Sequence, residues 1–470
     1  MLNKCFVFIV VVFVFAAFTT FAGPAFAQNR DEAKKIWEQG EKALKEGKNR
    51  EAAGFYERSL SISRRLSDLE GNAGNLSGLG QAYEALGDYP KALSYYEEAL
   101  ATNRRRQNKD GIATNLYNIG ALQYMRFQRN ARAVPLLEQS LSLFRELKDR
   151  ESIATVVYWL GRIQNGLGQY DKALAGAREA AKLSRELNNR QDLAYALNLA
   201  GLACTGLGKY DEALTSFQEA MQINKSLHLP LETAVSLRNL GDAYTDLVQF
   251  DQAMPYYEQS LVALRKLDNK DEIAITLNNL GLLYSSLSRY DKALAAYQES
   301  LRISREVNSP ALIAVALNNV GQVQGSLGKL DEALANYNQS LEMERKLNRP
   351  ARIAIGLNNI GMFYYRLGQG DKALPYLLES LEIQRKANAP SAMAQCLDNI
   401  GAVYLSQKNY EKAEKAFLER RGLQGRFQRI FLRHAGLTEL YLMTGRNAEA
   451  IALLQERPPK WNEGSQFRAE

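Results

Sequence analysis

Asparagine returns at one phase of a forty-residue period. Asn118, Asn239, Asn279, Asn319, Asn359 and Asn399 each stand two residues before a recurring glycine, and Asn198, Asn278, Asn318 and Asn358 stand three before it. A primary amide offers N–H donors and an acceptor oxygen, the chemistry needed to hold the backbone of an extended polypeptide whatever its side chains. Inside a helix the residue costs about 0.6 kcal/mol against alanine. Six such costs come to roughly 3–4 kcal/mol, a noticeable share of the ~5–15 kcal/mol that stabilises a domain. Two uses are open: a groove in which the amides hold a ligand, and a ladder of amides bonded between neighbouring repeats with no ligand at all. The groove reading assigns peptide or protein binding to Asn118, Asn239, Asn278, Asn279, Asn318, Asn319, Asn358, Asn359 and Asn399. Tyr195, Val235, Ile275, Val315 and Ile355, one helical turn earlier, would give it apolar pockets.

Other chemistries find few residues. The chain has two histidines, His228 in a loop between repeats and His434 at a core-type position, too few and too far apart for a metal site with cysteine or carboxylate partners. Neither a phosphate-cradling G-x-x-x-x-G-K-[ST] nor a nucleophile elbow occurs. The carboxylates recur with the repeat, as helix-surface charges do. No catalytic residue, metal site or cofactor is therefore expected. Cys204 and Cys396 lie five repeats apart; with helix layers ~8–10 Å apart their separation is on the order of 40 Å, beyond the ~7 Å limit for a disulfide. Both read as small buried hydrophobes.

The elements that position the asparagines follow from the period. Gly40, Gly80, Gly120, Gly161, Gly201, Gly241, Gly281, Gly321, Gly361 and Gly401 recur every forty residues, with one extra residue near Arg129. Twelve or thirteen residues after each glycine stands an alanine, from Ala52 to Ala413, and Ala450 closes the set. A period of this size marks a solenoid, whose units bury their apolar faces by stacking on one another. Within one unit Ile273, Leu277, Leu280 and Tyr284 form one helical stripe, and Leu294, Tyr297, Leu301 and Val307 form a second. Leu167-Gly168, Leu207-Gly208 and Leu327-Gly328 read as left-handed helix ends. Asp171, Asp211, Asp251, Asp291, Asp331 and Asp371 then fall in the first turn of the second helix, against the positive end of its dipole. Pro230, Pro310, Pro350 and Pro390 open first helices, where a missing N–H costs nothing. Glycine in mid-helix implies close approach, and the alanine of the partner helix is the natural neighbour.

These positions carry a resemblance. Leu277, Leu280-Gly281, Tyr284, Ala293, Tyr297 and Ser300 occupy the offsets of the tetratricopeptide repeat, and the forty-residue period is similar to the longer variety of kinesin light chains. Eleven copies are expected over residues 31 to 457, the end copies departing from the pattern at Gln39, Ala43, His434 and Thr438. The resemblance implies an all-α, right-handed superhelical solenoid of antiparallel helix pairs whose first helices line a concave, ligand-binding surface.

The first twenty-seven residues are of another kind. Lys4, the apolar run Cys5 to Phe18 and the ending Ala25-Phe26-Ala27 predict a signal peptide cleaved between Ala27 and Gln28. An uncleaved inner-membrane anchor over residues 5–23 is the alternative. In both cases the array, residues 28–457, ends outside the cytoplasm, periplasmic or secreted; residues 458–470 form a tail or the start of a further helix. The net charge of +7 comes largely from one basic position late in the second helices, Arg64, Arg104, Arg145, Arg185, Lys225, Arg265, Arg305, Arg345 and Arg385, where a cation meets the negative end of the dipole. No nucleic acid is expected, since basic residues are not interleaved with stacking aromatics. A denser cluster, Arg420, Arg421, Arg426, Arg429 and Arg433, is a solvated face or a contact for an acidic partner. Three functions stand side by side: a scaffold that binds a protein or extended peptide on its concave face; the sensor half of a larger protein, since bacterial chains of this plan look like the front of proteins carrying a caspase-like CHAT peptidase domain; and a structural repeat protein that self-associates.

Overall fold

The computed structural model describes residues 24–127, 130–387, 389–423 and 435–455; the extra residue near Arg129, His434, and Arg426, Arg429 and Arg433 lie outside them, as do residues 1–23 and 456–470. The chain divides into two compact units, Met1–Ala200 and Gly201–Glu470. In the first run α1 (Pro24–Lys45), α2 (Asn49–Arg65), α3 (Leu69–Ala85), α4 (Tyr89–Arg105), α5 (Lys109–Met125), α6 (Asn130–Leu147), α7 (Arg150–Gly166) and α8 (Tyr170–Glu186). Helix α9 (Arg190–Gly206) carries the division. The second unit continues with α10 (Tyr210–Ser226), α11 (Pro230–Asp246), α12 (Phe250–Lys266), α13 (Lys270–Ser286), α14 (Tyr290–Glu306), α15 (Pro310–Ser326), α16 (Leu330–Lys346), α17 (Pro350–Arg366), α18 (Gly370–Lys386), α19 (Pro390–Ser406), α20 (Tyr410–Gly422), α21 (Ala435–Met443) and α22 (Asn447–Gln455). The described residues contain no strand. Odd-numbered helices are the first of each pair and even-numbered ones the second. Within each unit a second helix also packs on the first helix that follows it.

Local signals act where the sequence places them. Pro230, Pro310, Pro350 and Pro390 each take the first position of their helices. Asp211, Asp251, Asp291, Asp331 and Asp371 lie in the first turns of α10, α12, α14, α16 and α18, where the exposed N–H groups favour a carboxylate. Gly168, Gly208 and Gly328 hold φ of 73°, 72° and 76° at the turns. Other repeats put a side chain in the same left-handed conformation at this turn, Ser288 at 56° and the β-branched Val248 at 62° among them, so the turn is imposed by the packed helices and not by glycine alone.

The mid-helix glycine has a different neighbour from the one its spacing suggests. Ala92, Ala133, Ala173, Ala213, Ala253, Ala293, Ala333, Ala373 and Ala413 are all fully buried, but the space beside the glycine is filled by the residue four positions after the alanine. A Cβ on Gly80 would lie 2.4 Å from the ring of Tyr96, one on Gly281 2.6 Å from Tyr297, and one on Gly401 2.4 Å from Phe417. Where that position is Ala177, the nearest atoms to such a Cβ on Gly161 are Leu199 at 3.0 Å and the Ala173 carbonyl at 3.3 Å. The ring then reaches the next repeat: Tyr297 packs with Val320 and Val323 of α15, and Tyr337 with Leu357, Ile360 and Phe363 of α17. Where a ring stands here it ties three helices together, and burying such a side chain contributes about 1.5–3 kcal/mol; in other repeats the position is Leu137, Ala177 or Leu377.

The second small residue of the repeat is a hydrogen-bond donor. The hydroxyls of Ser59 and Ser140 in the first unit donate to the carbonyls of Ala33 and Ala113, both at 2.8 Å. In the second unit Ser260, Ser300, Ser340 and Ser380 donate to Ala234, Ala274, Ala314 and Ala354 at 2.7–2.8 Å. All six hydroxyls are buried, and each fixes a second helix against its own first helix at one height.

Candidate functional site

The asparagines of the second unit lie on consecutive first helices that touch one another, α11 on α13, α13 on α15, α15 on α17 and α17 on α19. Their amides bond from repeat to repeat. Asn319 Nδ2 donates to Asn278 Oδ1 at 3.2 Å, Asn359 to Asn318 at 3.0 Å, and Asn399 to Asn358 at 2.9 Å. Within α15 Asn318 Nδ2 donates to Asn319 Oδ1 at 3.3 Å, so the chain of amides runs unbroken from Asn359 to Asn278. Asn278, buried, passes it to the Ser300 hydroxyl at 2.7 Å and the Ala274 carbonyl. Every rung donates toward the lower-numbered repeat.

A separate rung, between α13 and α11, meets a carboxylate. Asn279 Nδ2 donates to Asp242 Oδ1 at 2.7 Å, and the Tyr257 hydroxyl donates to the same oxygen at 2.6 Å. Burial raises the pKa of Asp242, opposed by the nearby Arg238 guanidinium and by these two hydrogen bonds. Arg238 itself is paired with Glu272. Burial and the adjacent carboxylate raise the Tyr257 phenol, which therefore stays a donor.

Rung bonds use only part of each amide. Among the described residues nothing donates to the Oδ1 of Asn279, Asn359 or Asn399, and each Nδ2 keeps a second hydrogen. The half-buried Val235, Ile275 and Val315 and the exposed Ile355 line the same face one turn earlier, as the spacing predicts. Leu282, half exposed, lies one turn later.

The other named asparagines stand apart. Asn118 is on α5 in the first unit, its Nδ2 buried without a hydrogen-bond partner. Asn239 is buried on α11. In the first unit the corresponding positions of α7 are the aromatic Tyr158 and Trp159, while those of α3 are Ser77 and Gly78. Tyr158 meets Trp159 edge-on at 5.7 Å, Trp159 meets Tyr124 at 6.1 Å, and Tyr195 lies 6.3 Å from Tyr158. The Arg162 guanidinium sits over Trp159 at 4.9 Å. The ends of these helices are acidic: burial and the neighbouring Asp149 raise the pKa of Asp110, and burial and Glu151 raise that of Asp192.

The basic positions late in the second helices do more than meet a dipole. Arg64 pairs with Glu98 at 2.6 Å and Arg145 with Glu179 at 2.8 Å in the first unit; Arg265 pairs with Glu299 at 3.0 Å, Arg345 with Glu379 at 2.7 Å, and Arg385 with Glu419 in the second. Each carboxylate is thirty-four residues on, in the next second helix. Of the C-terminal basic cluster, Arg420 pairs with Asp398 at 3.1 Å. Cys204 and Cys396 are both buried thiols; Cys204 donates to Glu212 Oε2 at 3.9 Å, Cys396 donates to the Leu377 carbonyl, and burial pushes the Cys396 pKa up to about 11. Among the described residues no group of three or more His, Cys, Asp or Glu is placed to hold a metal ion.

Sequence reasoning named the asparagines, the apolar row and, as a repeat position only, Ser300; it missed Asp242 and the hydrogen-bonding role of Ser300. Asp242 stands just after the repeat glycine, where the next three copies have Leu282, Gln322 and Met362, and the serine recurs three residues after the ring; both signals were in the sequence.

The architecture is that of a repeat array of helical hairpins. The tetratricopeptide repeat model matches residues 36–105, 73–146, 152–226, 191–266, 232–306, 272–346 and 352–422, and the chain belongs to that family. No curated protein matches the sequence. Among solved structures the fold is similar to that of the apo form of RapI (TM-score 0.55, 15% identity, covering 76% of this chain and 98% of that one). It is also similar to a Rap protein complexed with competence and sporulation factor (0.51, 12%, 84% and 98%). A third is the apo form of the quorum sensor NprR from B. thuringiensis (0.50, 16%, 73% and 99%). At these identities the likeness is one of fold.

Proposed function

We propose that this chain is a non-catalytic scaffold that holds an extended segment of another polypeptide against the first helices of its second unit. The observation that carries the reading is the row of amides whose rung bonds leave acceptor oxygens at Asn279, Asn359 and Asn399 beside an apolar row. An extended backbone presents N–H groups that such oxygens accept, and the ladder holds the amides in one orientation before any ligand arrives, which lowers the entropy cost of binding. Groove and ladder are then one device. The complex of a similarly folded Rap protein with a separate factor supports a binding role for this fold.

We propose further that the array is exported, on the strength of Lys4, the apolar run and Ala25-Phe26-Ala27. Amino-terminal sequencing of the secreted form should begin at Gln28; recovery of the full chain in the membrane fraction would replace cleavage by an anchor.

The binding test uses the chain as bait in periplasmic or secreted extract beside its Asn279→Ala/Asn319→Ala/Asn359→Ala variant. A partner held by the parent and lost by a variant of unchanged helicity supports the groove. Equal retention by both would make the asparagines architecture only.

A further inference from the structure

The first-helix face of the second unit is specific about charge. Five positions of each first helix belong to it, Asn278 among them buried beneath the surface: six, three and two residues before the glycine, and one and five after. On α13 these are Ile275, Asn278, Asn279, Leu282 and Ser286; on α15 Val315, Asn318, Asn319, Gln322 and Ser326; on α17 Ile355, Asn358, Asn359 and Met362, before Arg366. None of the first fourteen is charged, in a chain where 24% of residues are. The second helices of the same repeats are crossed by Arg–Glu pairs, so the neutrality belongs to one face. Charge returns at the ends: on α11 Arg238, whose charge is taken up by Glu272, followed by Asp242 and the exposed Asp246, and on α17 the exposed Arg366, Asp246 and Arg366 sharing one repeat position.

We infer, on the proposed groove reading, that the ligand is an extended peptide segment that is uncharged and aliphatic through its middle, with a basic residue at the α11 end and an acidic one at the α17 end. A charged side chain laid over Ile275, Leu282 or Ile355 would lose hydration with no counter-charge to replace it. An aliphatic one gains about 25 cal/mol for each Å² removed from water. Three repeat steps of ~10 Å separate α11 from α17. At ~3.3 Å per residue an extended chain spans that distance in about nine residues.

A library of random dodecapeptides displayed on phage, selected on the full chain and in parallel on the Asn279→Ala/Asn319→Ala/Asn359→Ala variant, tests this. The parent is expected to enrich peptides with about seven consecutive uncharged residues, rich in Val, Ile and Leu, between a basic and an acidic residue, and the variant is expected not to. Enrichment of peptides charged through the middle, by the parent alone, would overturn the inference and leave the groove standing. Equal enrichment by both proteins, or none by either, would remove the groove itself. The best peptide, fluorescently labelled, is then titrated against Leu282→Glu and Arg366→Glu, both at exposed positions and checked by circular dichroism. Leu282→Glu should bind at least tenfold more weakly. Arg366→Glu should bind severalfold more weakly and recover when the peptide's acidic residue becomes Lys. Undiminished binding to a folded Leu282→Glu variant would overturn the assignment.

Discussion

The two units share a scaffold and differ on the face that their first helices present. In the first, α5, α7 and α9 carry Tyr124, Tyr158, Trp159 and Tyr195, with Arg162 over the Tyr158 and Trp159 rings, and the carboxylates Asp110 and Asp192 lie in the first turns of α5 and α9. In the second, α13, α15, α17 and α19 carry amides bonded from one repeat to the next. Ring packing, buried serines and Arg–Glu pairs are common to both. The forty-residue unit therefore separates its tasks: the glycine gap and its ring set the stack, and the first-helix surface is left to vary. Aromatic faces fill space through shape, whereas an amide row fixes direction through donors and acceptors.

The largest effects should come from the shared part. Gly80→Ala and Gly281→Ala each push a methyl into a buried tyrosine ring, and overpacking of this kind costs about 1–3 kcal/mol even after alanine's better helix propensity is counted. Gly161→Ala, facing only the end of Leu199 and a carbonyl, should stay within about 0.5 kcal/mol of the parent. Denaturant melts measure all three. A large difference between Gly80→Ala and Gly281→Ala would break the claim that the two units are built alike.

A middle-sized effect should separate the units. Ser140→Ala removes one buried donor to a carbonyl, at a cost of about 1 kcal/mol. Ser300→Ala removes the same bond and also the acceptor of Asn278 at the foot of the ladder, so its cost should be larger by about 1 kcal/mol. Equal melts for the two would mean that the ladder is uncoupled from the core.

Asp192 offers a pH test of the acidic face. Its folded-state pKa is raised, so the folded chain holds this proton more tightly than the unfolded one. The group's stabilising contribution is complete below the unfolded pKa and is lost as pH rises through the folded value. Asp192→Asn, which keeps an acceptor for Asn189, should flatten the stability–pH curve over that acid window and leave neutral-pH stability no lower. A curve unchanged by the substitution would show that Asp192 is not the source.

The smallest effects belong to the outer ion pairs. Arg265→Ala and Arg345→Ala break exposed pairs that carry a few tenths of a kcal/mol each, and the loss should vanish in 1 M salt, where the Debye length is about 3 Å. A loss that persists in high salt would make these pairs part of the core mechanics of the stack.

Much of this was legible in the chain alone. The period set the number of hairpins: twenty-two helices among the described residues, paired as the eleven copies require. Proline at the first helical position, Asp in the first turn and the left-handed turn all act within a few residues, so sequence spacing reports them directly. Contacts between repeats were another matter. The partner of Asn319 is forty-one residues away, that of Asn279 thirty-seven, and that of Arg265 thirty-four. Periodicity fixes the phase of a side chain on its own helix, but which neighbour it meets depends on the stagger between adjacent helices. That stagger is set by the rings in the glycine gaps and the serine hydroxyls on first-helix carbonyls. The sequence by itself thus determined that the asparagines share a face; only the packed repeats decided that Asn279, Asn319, Asn359 and Asn399 each donate to the repeat before and that Asn279 meets Asp242.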